Sequence, residues 1–272
     1  MRAPLDPAGS LKHAVLRLFP WVDTAWATHS ATGLRFLVSP RDVVGRTIMR
    51  RQSYEPHLTA WLVETLGQGP EGLFIDVGAN LGWFTLQAAC LPRVQRVLAI
   101  EPDAGNQRLL QANVERNGLG AHVDSVACAA GECSGLARLH RYKGSNLGRH
   151  SLLSDHGQGG TWVPVDSLDA LLQKLDLSQR PIAAIKIDVE GYEPLVLRGA
   201  VGALRRAQAL LVELSPELSR SGGLDAAEAL DAIAEAGFVP RIWDRGGEVP
   251  GYAGLRAYPG QATIGFVRGR EE

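Results

Sequence analysis

The stretch FIDVGANLGWFT, running from Phe74 to Thr85, decides the fold. Its first four residues end a short apolar strand that starts at Gly72, Gly78 and Gly82 bracket a turn, and LGWFTLQAAC continues as a helix. Just downstream, VQRVLAI is a second apolar strand, so strand, helix and strand fall within the roughly 30 residues of a βαβ unit. Working outward, Glu101-Pro102-Asp103 closes that second strand, and Asp103 is placed to cap the helix AGNQRLLQANVERN, which stops at Asn117-Gly118. A strand near His122 to Ala127 follows, then a Gly-, Ser- and His-rich stretch over 131–160 and a helix from Asp166 to about Leu175. PIAAIKIDV is a further buried strand, Glu193-Pro194 opens the next helix, ALLVEL is another strand, and Asp225 to Ala236 another helix.

Such alternation demands a doubly wound, mostly parallel α/β sheet, here of seven strands. The end of the chain departs from it. FVPRIW and ATIGFVR are separated by a Gly/Pro loop over 244–260 without helical pattern, and they read as an antiparallel hairpin closing the sheet edge. A dinucleotide dehydrogenase would add another helical crossover there, whereas a hairpin closure is the form of class I methyltransferases that use S-adenosyl-L-methionine (SAM). Residues 1–70 read as an N-terminal cap or entry segment on a domain spanning 71–272. In that segment Leu11, Val15, Leu18 and Phe19 recur at helical spacing and are expected to face the core, and a helix is expected from about Pro56 to Leu66.

The composition excludes several classes. With 45% hydrophobic and 21% charged residues over 272 positions, the chain can bury a full core and is neither disordered nor fibrous. A formal net charge of −1 provides no global field for a nucleic acid. Cys90, Cys128 and Cys133 fit neither metal-ligand spacing nor a disulfide framework, which suits inert thiols in a reducing cytoplasm. No apolar run reaches the ~20 residues of a membrane span, and the N-terminus lacks a signal-peptide core, so no membrane partner is expected.

The glycine turn sits where ligands bind in an open α/β sheet, outside the carboxyl ends of the strands. Its glycines admit a ligand close to the backbone, but Asn80 stands where the dinucleotide fingerprint requires its second glycine, so a pyrophosphate fits poorly. Asp76 suits a ligand carrying an ammonium group, as SAM does. Glu101, ending the second strand, is placed to accept the ribose hydroxyls of a nucleoside.

The most specific stretch is IKIDVEGYEPLVLRGA, Ile185 to Ala200. Together with FIDVGANLG and EPDAGNQRLLQANVERNGL it resembles the FkbM-family SAM-dependent methyltransferases, whose hallmark strand reads approximately K-I-D-x-E-G-x-E with the following helix ending in G-A. Lys186, Asp188, Glu190, Gly191, Glu193, Gly199 and Ala200 match that pattern. VDSLDAL, LLVEL with Glu213, SPRD and Ser53-Tyr54-Glu55-Pro56 resemble the family's further regular positions, and the similarity runs from about Leu34 to Val267.

The resemblance implies methyl transfer from SAM to a small-molecule acceptor, most often a hydroxyl of a sugar, polyketide or other secondary metabolite. It implies that Asp76, Gly78, Ala79, Asn80 and Gly82 line the methionine and ribose side, that Glu101 takes the ribose hydroxyls, and that Tyr54 and Glu55 close over the cofactor. Asp188 would stand nearest the sulfonium. A hydroxyl acceptor needs a base; Asp188 and Glu190 are candidates, as are His140, His150 and His156 in the 131–160 stretch. Asp166, Asp188, Glu190 and Glu213 offer a less favoured alternative, a divalent cation orienting the acceptor. Base methylation of nucleic acid is disfavoured, because Asp188-Val189-Glu190-Gly191 stands where amino-methylating relatives carry an N/D-P-P-Y/F tetrad. Arg41, Arg46, Arg50 and Arg51 read as a solvated or acid-paired face that could equally greet an anionic small molecule. Rival readings are N-methylation of a small molecule or peptide, an NAD(P)-dependent oxidoreductase, and a SAM-binding scaffold without chemistry. Oligomeric state is open.

Overall fold

A computed structural model describes residues 3–16, 18–19, 21–142, 150–155 and 157–269. The chain opens with helix α1 (Pro7–Leu16), an antiparallel pair β1 (Ala25–Thr28) and β2 (Arg35–Val38), and helices α2 (Val43–Arg51) and α3 (Pro56–Gln68). The alternating part begins with β3 (Gly72–Val77), α4 (Trp83–Ala89), β4 (Val94–Ile100), α5 (Ala104–Arg116) and β5 (Val123–Val126). A separate small sheet is made by β6 (Ala129–Gly131), β7 (Gly135–His140) and β8 (Gly160–Ser167). Then come α6 (Leu168–Lys174), β9 (Ile182–Ile187), α7 (Glu193–Arg198), α8 (Val201–Arg206), β10 (Ala207–Leu214) and α9 (Pro216–Ser221). The chain closes with α10 (Ala226–Glu235), β11 (Phe238–Trp243), α11 (Tyr252–Ala257) and β12 (Ala262–Arg268).

The main sheet has seven strands in the order β11-β12-β10-β9-β3-β4-β5. β10, β9, β3, β4 and β5 are parallel, while β12 runs antiparallel between β10 and β11. This is the doubly wound sheet with a hairpin closure that the sequence pattern demands. The order reverses at β3: the chain builds outward through β4 and β5, then returns to add β9 and β10 on the other side, which opens a crevice at the carboxyl end of β3.

Every residue of β3 is buried, yet its period of two still sorts the core. Leu73, Ile75 and Val77 join the cluster of α7, α8 and α10, whereas Phe74 joins the opposite one with α3, α4 and α5. That second cluster also takes Leu34, Phe36, Val44, Ile48, Leu58 and Leu62. The N-terminal segment therefore supplies one layer of the sheet's packing.

Two expectations give way. Leu11, Val15, Leu18 and Phe19 are exposed. Gly9 brings α1 against the Met49 carbonyl and His13 is buried with its Nε2 3.0 Å from the Pro40 carbonyl oxygen, so the opposite face of the helix points outward. The 244–260 loop contains α11, whose Leu255 is buried and whose Tyr252 hydroxyl donates to the Phe238 carbonyl at 2.8 Å. One apolar anchor was too little periodicity to announce that helix. Among the cysteines only Cys128 is buried; Cys90 and Cys133 are exposed, and all three are free.

Candidate active site

The β3–α4 turn is fixed by backbone geometry. Gly78 has φ +74°, and a Cβ there would collide with the Asp188 carbonyl oxygen, so the turn after β3 lies directly against the turn after β9. Gly78 and Ala79 donate their N–H groups to the Ile100 carbonyl at 2.9 and 3.0 Å, tying the turn to the end of β4. Asn80 adopts φ +52° and donates its N–H to Glu101 Oε2 at 2.7 Å. Gly82, at φ +90°, begins α4 against the Leu110 side chain.

Beneath this turn lies Lys186 of β9, only 5% exposed. Its Nζ donates to the Gly78 carbonyl at 2.6 Å and sits 3.2 Å from Asp76 Oδ1 and 3.4 Å from Asp188 Oδ2. Burial alone would lower this amine's pKa; the Asp76 and Asp188 carboxylates outweigh it and hold the group above its ordinary value. Thr85 completes the arrangement by donating to Asp76 Oδ2 at 2.6 Å. Asp76 is thus wholly buried as a counter-ion under the turn.

Two cavities open near this group, one lined by Asp188 and the other by Glu55. The first, about 60 Å³, is lined by Gly78, Asn80, Glu101, His150, Asp188 and Glu190. Glu101 accepts from Asn80 at Oε2 and from the Asp103 N–H at Oε1, 2.9 Å, and burial pushes its pKa up to about 7. Each carboxylate oxygen keeps acceptor capacity, which suits the hydroxyls of a nucleoside. Leu139, His150 and Leu152, from the 131–160 stretch, pack over this cavity. Small-molecule sites commonly measure about 300–1,000 Å³, so a ligand of nucleoside size needs these side chains to give way.

The second cavity is about 660 Å³ and is lined by Arg46, Arg50, Arg51, Tyr54, Glu55 and Asp244, among others. Carboxylates crowd between the two. Glu55, at φ +40°, has its pKa raised to about 7 by burial and then by Asp188. Glu213 is raised well above the usual range by burial, with Asp188 and Glu190 adding to it. Burial and Glu55 likewise raise the Tyr54 phenol. Gln261 donates to Glu213 Oε2 at 2.8 Å and to Glu190 Oε2 at 3.4 Å.

The residues singled out from sequence therefore divide. Gly78, Asn80, Glu101, Asp188, Glu190 and His150 face the first cavity, Tyr54 and Glu55 face the second, and Asp76, Ala79 and Gly82 lie behind the wall. His150 Nδ1 accepts the Tyr142 N–H at 3.0 Å, so the neutral ring carries its proton on Nε2, 3.9 Å from Asp103 Oδ2. Its ring lines the first cavity. His140 lies 3.6 Å from Asp155, outside both cavities, and His156 falls outside the described residues. Asp166 is drawn away from the other acids by Lys174 and by the Ser134 hydroxyl at 2.6 Å. Among the described residues no group of three or more His, Cys, Asp or Glu is arranged to hold a metal ion, and no helix is long and apolar enough to cross a membrane.

Sequence reasoning passed over Gln261 and Asp244, which stand far along the chain in no motif, and the wiring of Lys186, whose hallmark position was noted without a role. The left-handed conformations of Glu55 and Glu190 leave no signal in residue type.

Residues 76–240 match the family model described as the methyltransferase FkbM domain. A curated relative, the 31-O-demethyl-FK506 methyltransferase FkbM of Streptomyces tacrolimicus, is 31% identical over 162 residues, covering 49% of this chain and 61% of that protein. The AMB antimetabolite synthetase AmbE of Pseudomonas aeruginosa is 27% identical over 206 residues, which are 64% of this chain and 10% of the synthetase. The chain thus spans less than two thirds of either relative. A solved methyltransferase FkbM from Methylobacillus flagellatus KT superposes with a TM-score of 0.44 at 18% identity, covering 72% of this chain and 43% of that one.

Proposed function

The chain belongs to the FkbM methyltransferase family, and from that premise we propose that it transfers a methyl group from SAM to a hydroxyl oxygen of a small-molecule acceptor. The observation that carries this reading is the pairing of Lys186 with two carboxylates, Asp76 and Asp188, beside a cavity that Glu101 and Glu190 also line. Excess negative charge next to a nucleoside-type acceptor suits a cationic nucleoside and repels the pyrophosphate of a dinucleotide. SAM, when bound, supplies an electrophilic methyl group on a sulfonium, and its ribose and amine match these carboxylates.

In this reading Glu101 accepts the ribose hydroxyls, and the Gly78–Asn80 turn gives the ligand a rigid backbone surface. Asp76 acts indirectly: it neutralises Lys186, which in turn holds the Gly78 carbonyl and Asp188. The acceptor approaches from the second cavity, with residues 1–70 and the 244–260 loop as its walls, and its hydroxyl meets Asp188 and Glu55. A base serves best with a pKa near the working pH, and burial has brought Glu55 to about 7. The hydroxyl proton passes to the Asp188–Glu55 pair. His150 stands outside that path, because its Nδ1 is occupied by the Tyr142 N–H, and it serves the nucleoside end. The lack of an N/D-P-P-Y/F tetrad supports a small molecule over a nucleobase as acceptor.

Calorimetric titration with S-adenosylhomocysteine, and separately with NAD and NADP, tests the reading. Binding of the first alone is expected. A dinucleotide signal with no response to S-adenosylhomocysteine would overturn it.

A further inference from the structure

Helix α2 turns two different faces to its surroundings. Val44, Ile48 and Met49 are buried in the core, while Val43, Arg46, Thr47 and Arg50, at positions i, i+3, i+4 and i+7, all line the 660 Å³ cavity. Arg51 lines it too and donates to the Ala3 carbonyl. Arg46, Arg50 and Arg51 are each only partly exposed. Among the described residues, neither the Arg46 nor the Arg50 guanidinium has an ion-pair or hydrogen-bond partner. The contrast with Arg41 is direct: Arg41, on the neighbouring turn, is exposed and lies 3.7 Å from Asp23.

Cations in the last turn of a helix are favoured by its dipole whatever their function, which accounts for Arg50 and Arg51. It does not account for Arg46, a full turn earlier and on the same cavity wall. Half-buried guanidinium groups without a carboxylate are planar donors awaiting an acceptor with matching oxygens. Tyr54, Glu55 and Asp244 line the same cavity, and Glu55 is electrostatically linked to Asp188. The cavity therefore brings basic side chains together with acids coupled to the candidate active site.

We propose that this cavity binds the acceptor through an anionic group, a carboxylate or a phosphate, held by Arg46 and Arg50 so that its hydroxyl faces Glu55 and Asp188. The anion site stands on the cavity alone; its role in placing a methyl acceptor rests on the function proposed above.

The test is a titration of the whole protein with inorganic phosphate and, separately, with glycolate, each with and without saturating S-adenosylhomocysteine. Wild type is expected to bind at least one probe. Arg46→Gln and Arg50→Gln should each weaken it about tenfold or more, as expected for losing a charge-assisted hydrogen bond. Affinity for S-adenosylhomocysteine should stay at the wild-type value in both variants. The tighter of the two probes assigns the acceptor's anionic group. Thermal melts confirm folding of each variant, and Arg46→Lys, which keeps charge but loses the planar fork, should bind between Arg46→Gln and wild type. Failure of wild type to take up either probe, or variants that bind as wild type does, overturns the proposal. A parallel loss of S-adenosylhomocysteine binding overturns it as well, since the guanidinium would then serve the methionine carboxylate. If wild type ignores S-adenosylhomocysteine but loses phosphate binding on Arg46→Gln, the anion site is upheld and the methyl-transfer reading falls.

Discussion

The two cavities are built in opposite ways. The one lined by Glu101 is made largely from turns that follow adjacent strands: Gly78 to Asn80 after β3, Glu101 after β4, and Asp188 to Glu190 after β9. Its geometry is a backbone geometry, held by the Gly78, Ala79 and Asn80 N–H groups donating to the Ile100 carbonyl and the Glu101 carboxylate. The larger cavity is assembled from side chains of α2, the Tyr54–Glu55 entry segment and Asp244 at the far end of the chain. A site made by strand ends must keep its turn residues, whereas a site made by helix side chains can change its lining without disturbing the sheet. The first can therefore serve one ligand throughout a family and the second can follow the acceptor.

Asp188 belongs to the boundary, so its substitution tests the comparison hardest. Asp188→Asn is expected to lower turnover about 10²–10⁴-fold, the usual worth of a proton acceptor, while S-adenosylhomocysteine affinity changes little. Equal losses in both would place Asp188 wholly on the nucleoside side. Lys186 supports the backbone-built region from below. Lys186→Met leaves Asp76 and Asp188 without their cation, and breaking a buried pair costs about 3–5 kcal/mol, readable by chemical denaturation. Lys186→Met combined with Asp76→Asn should recover part of that stability; no recovery would mean that the Gly78 carbonyl contact, not charge, matters most.

A smaller effect separates the two cavities. Glu101→Gln should weaken S-adenosylhomocysteine by about 1.5–3 kcal/mol, as for a hydrogen bond to a charged group, and leave phosphate binding unchanged. Glu193 lies in neither lining. It accepts the Gly191 N–H at 2.9 Å, its other oxygen is buried without a hydrogen-bond partner among the described residues, and burial pushes its pKa up to about 8. The folded state holds this proton more tightly than the unfolded chain. Its contribution is therefore fully favourable below about pH 4.5 and is lost as pH rises toward 8. Glu193→Gln should melt like wild type at pH 5 and a few degrees higher at pH 9; equal melting at both would show that this carboxyl is solvated.

The legibility of each region follows from the same contrast. Gly78, Glu101 and Asp188 could be placed on one crevice from sequence because strand-helix alternation fixes which chain segments end together. Asp103 could be assigned as a cap in advance, and its carboxylate does accept the Gly105 and Asn106 N–H groups at 2.8 and 2.9 Å. The resemblance alone brings Tyr54 and Glu55 to the site; that they line the larger cavity beside Arg46 and Arg50 depends on how α2 and α3 pack. The outward face of α1 escaped for a similar reason: its spacing announced an apolar stripe but not which neighbour it would meet.

What the sequence determined by itself was the parallel sheet and its hairpin closure, since periodicity and turn chemistry are local properties of the chain, and, through the resemblance of its Ile185–Ala200 motif, the family. Only the tertiary structure decided that Asp76 is a buried counter-ion to Lys186, that His150 turns toward Asp103, and that Arg46 and Arg50 share a cavity with Glu55. Asp76 meets Lys186 across more than a hundred residues, His150 and Asp103 come from different segments, and Arg46, Arg50 and Glu55, though near in sequence, share a cavity only through the packing of α2 against the entry segment. Electrostatic partners are set by distance in space, and one-dimensional spacing carries no record of it.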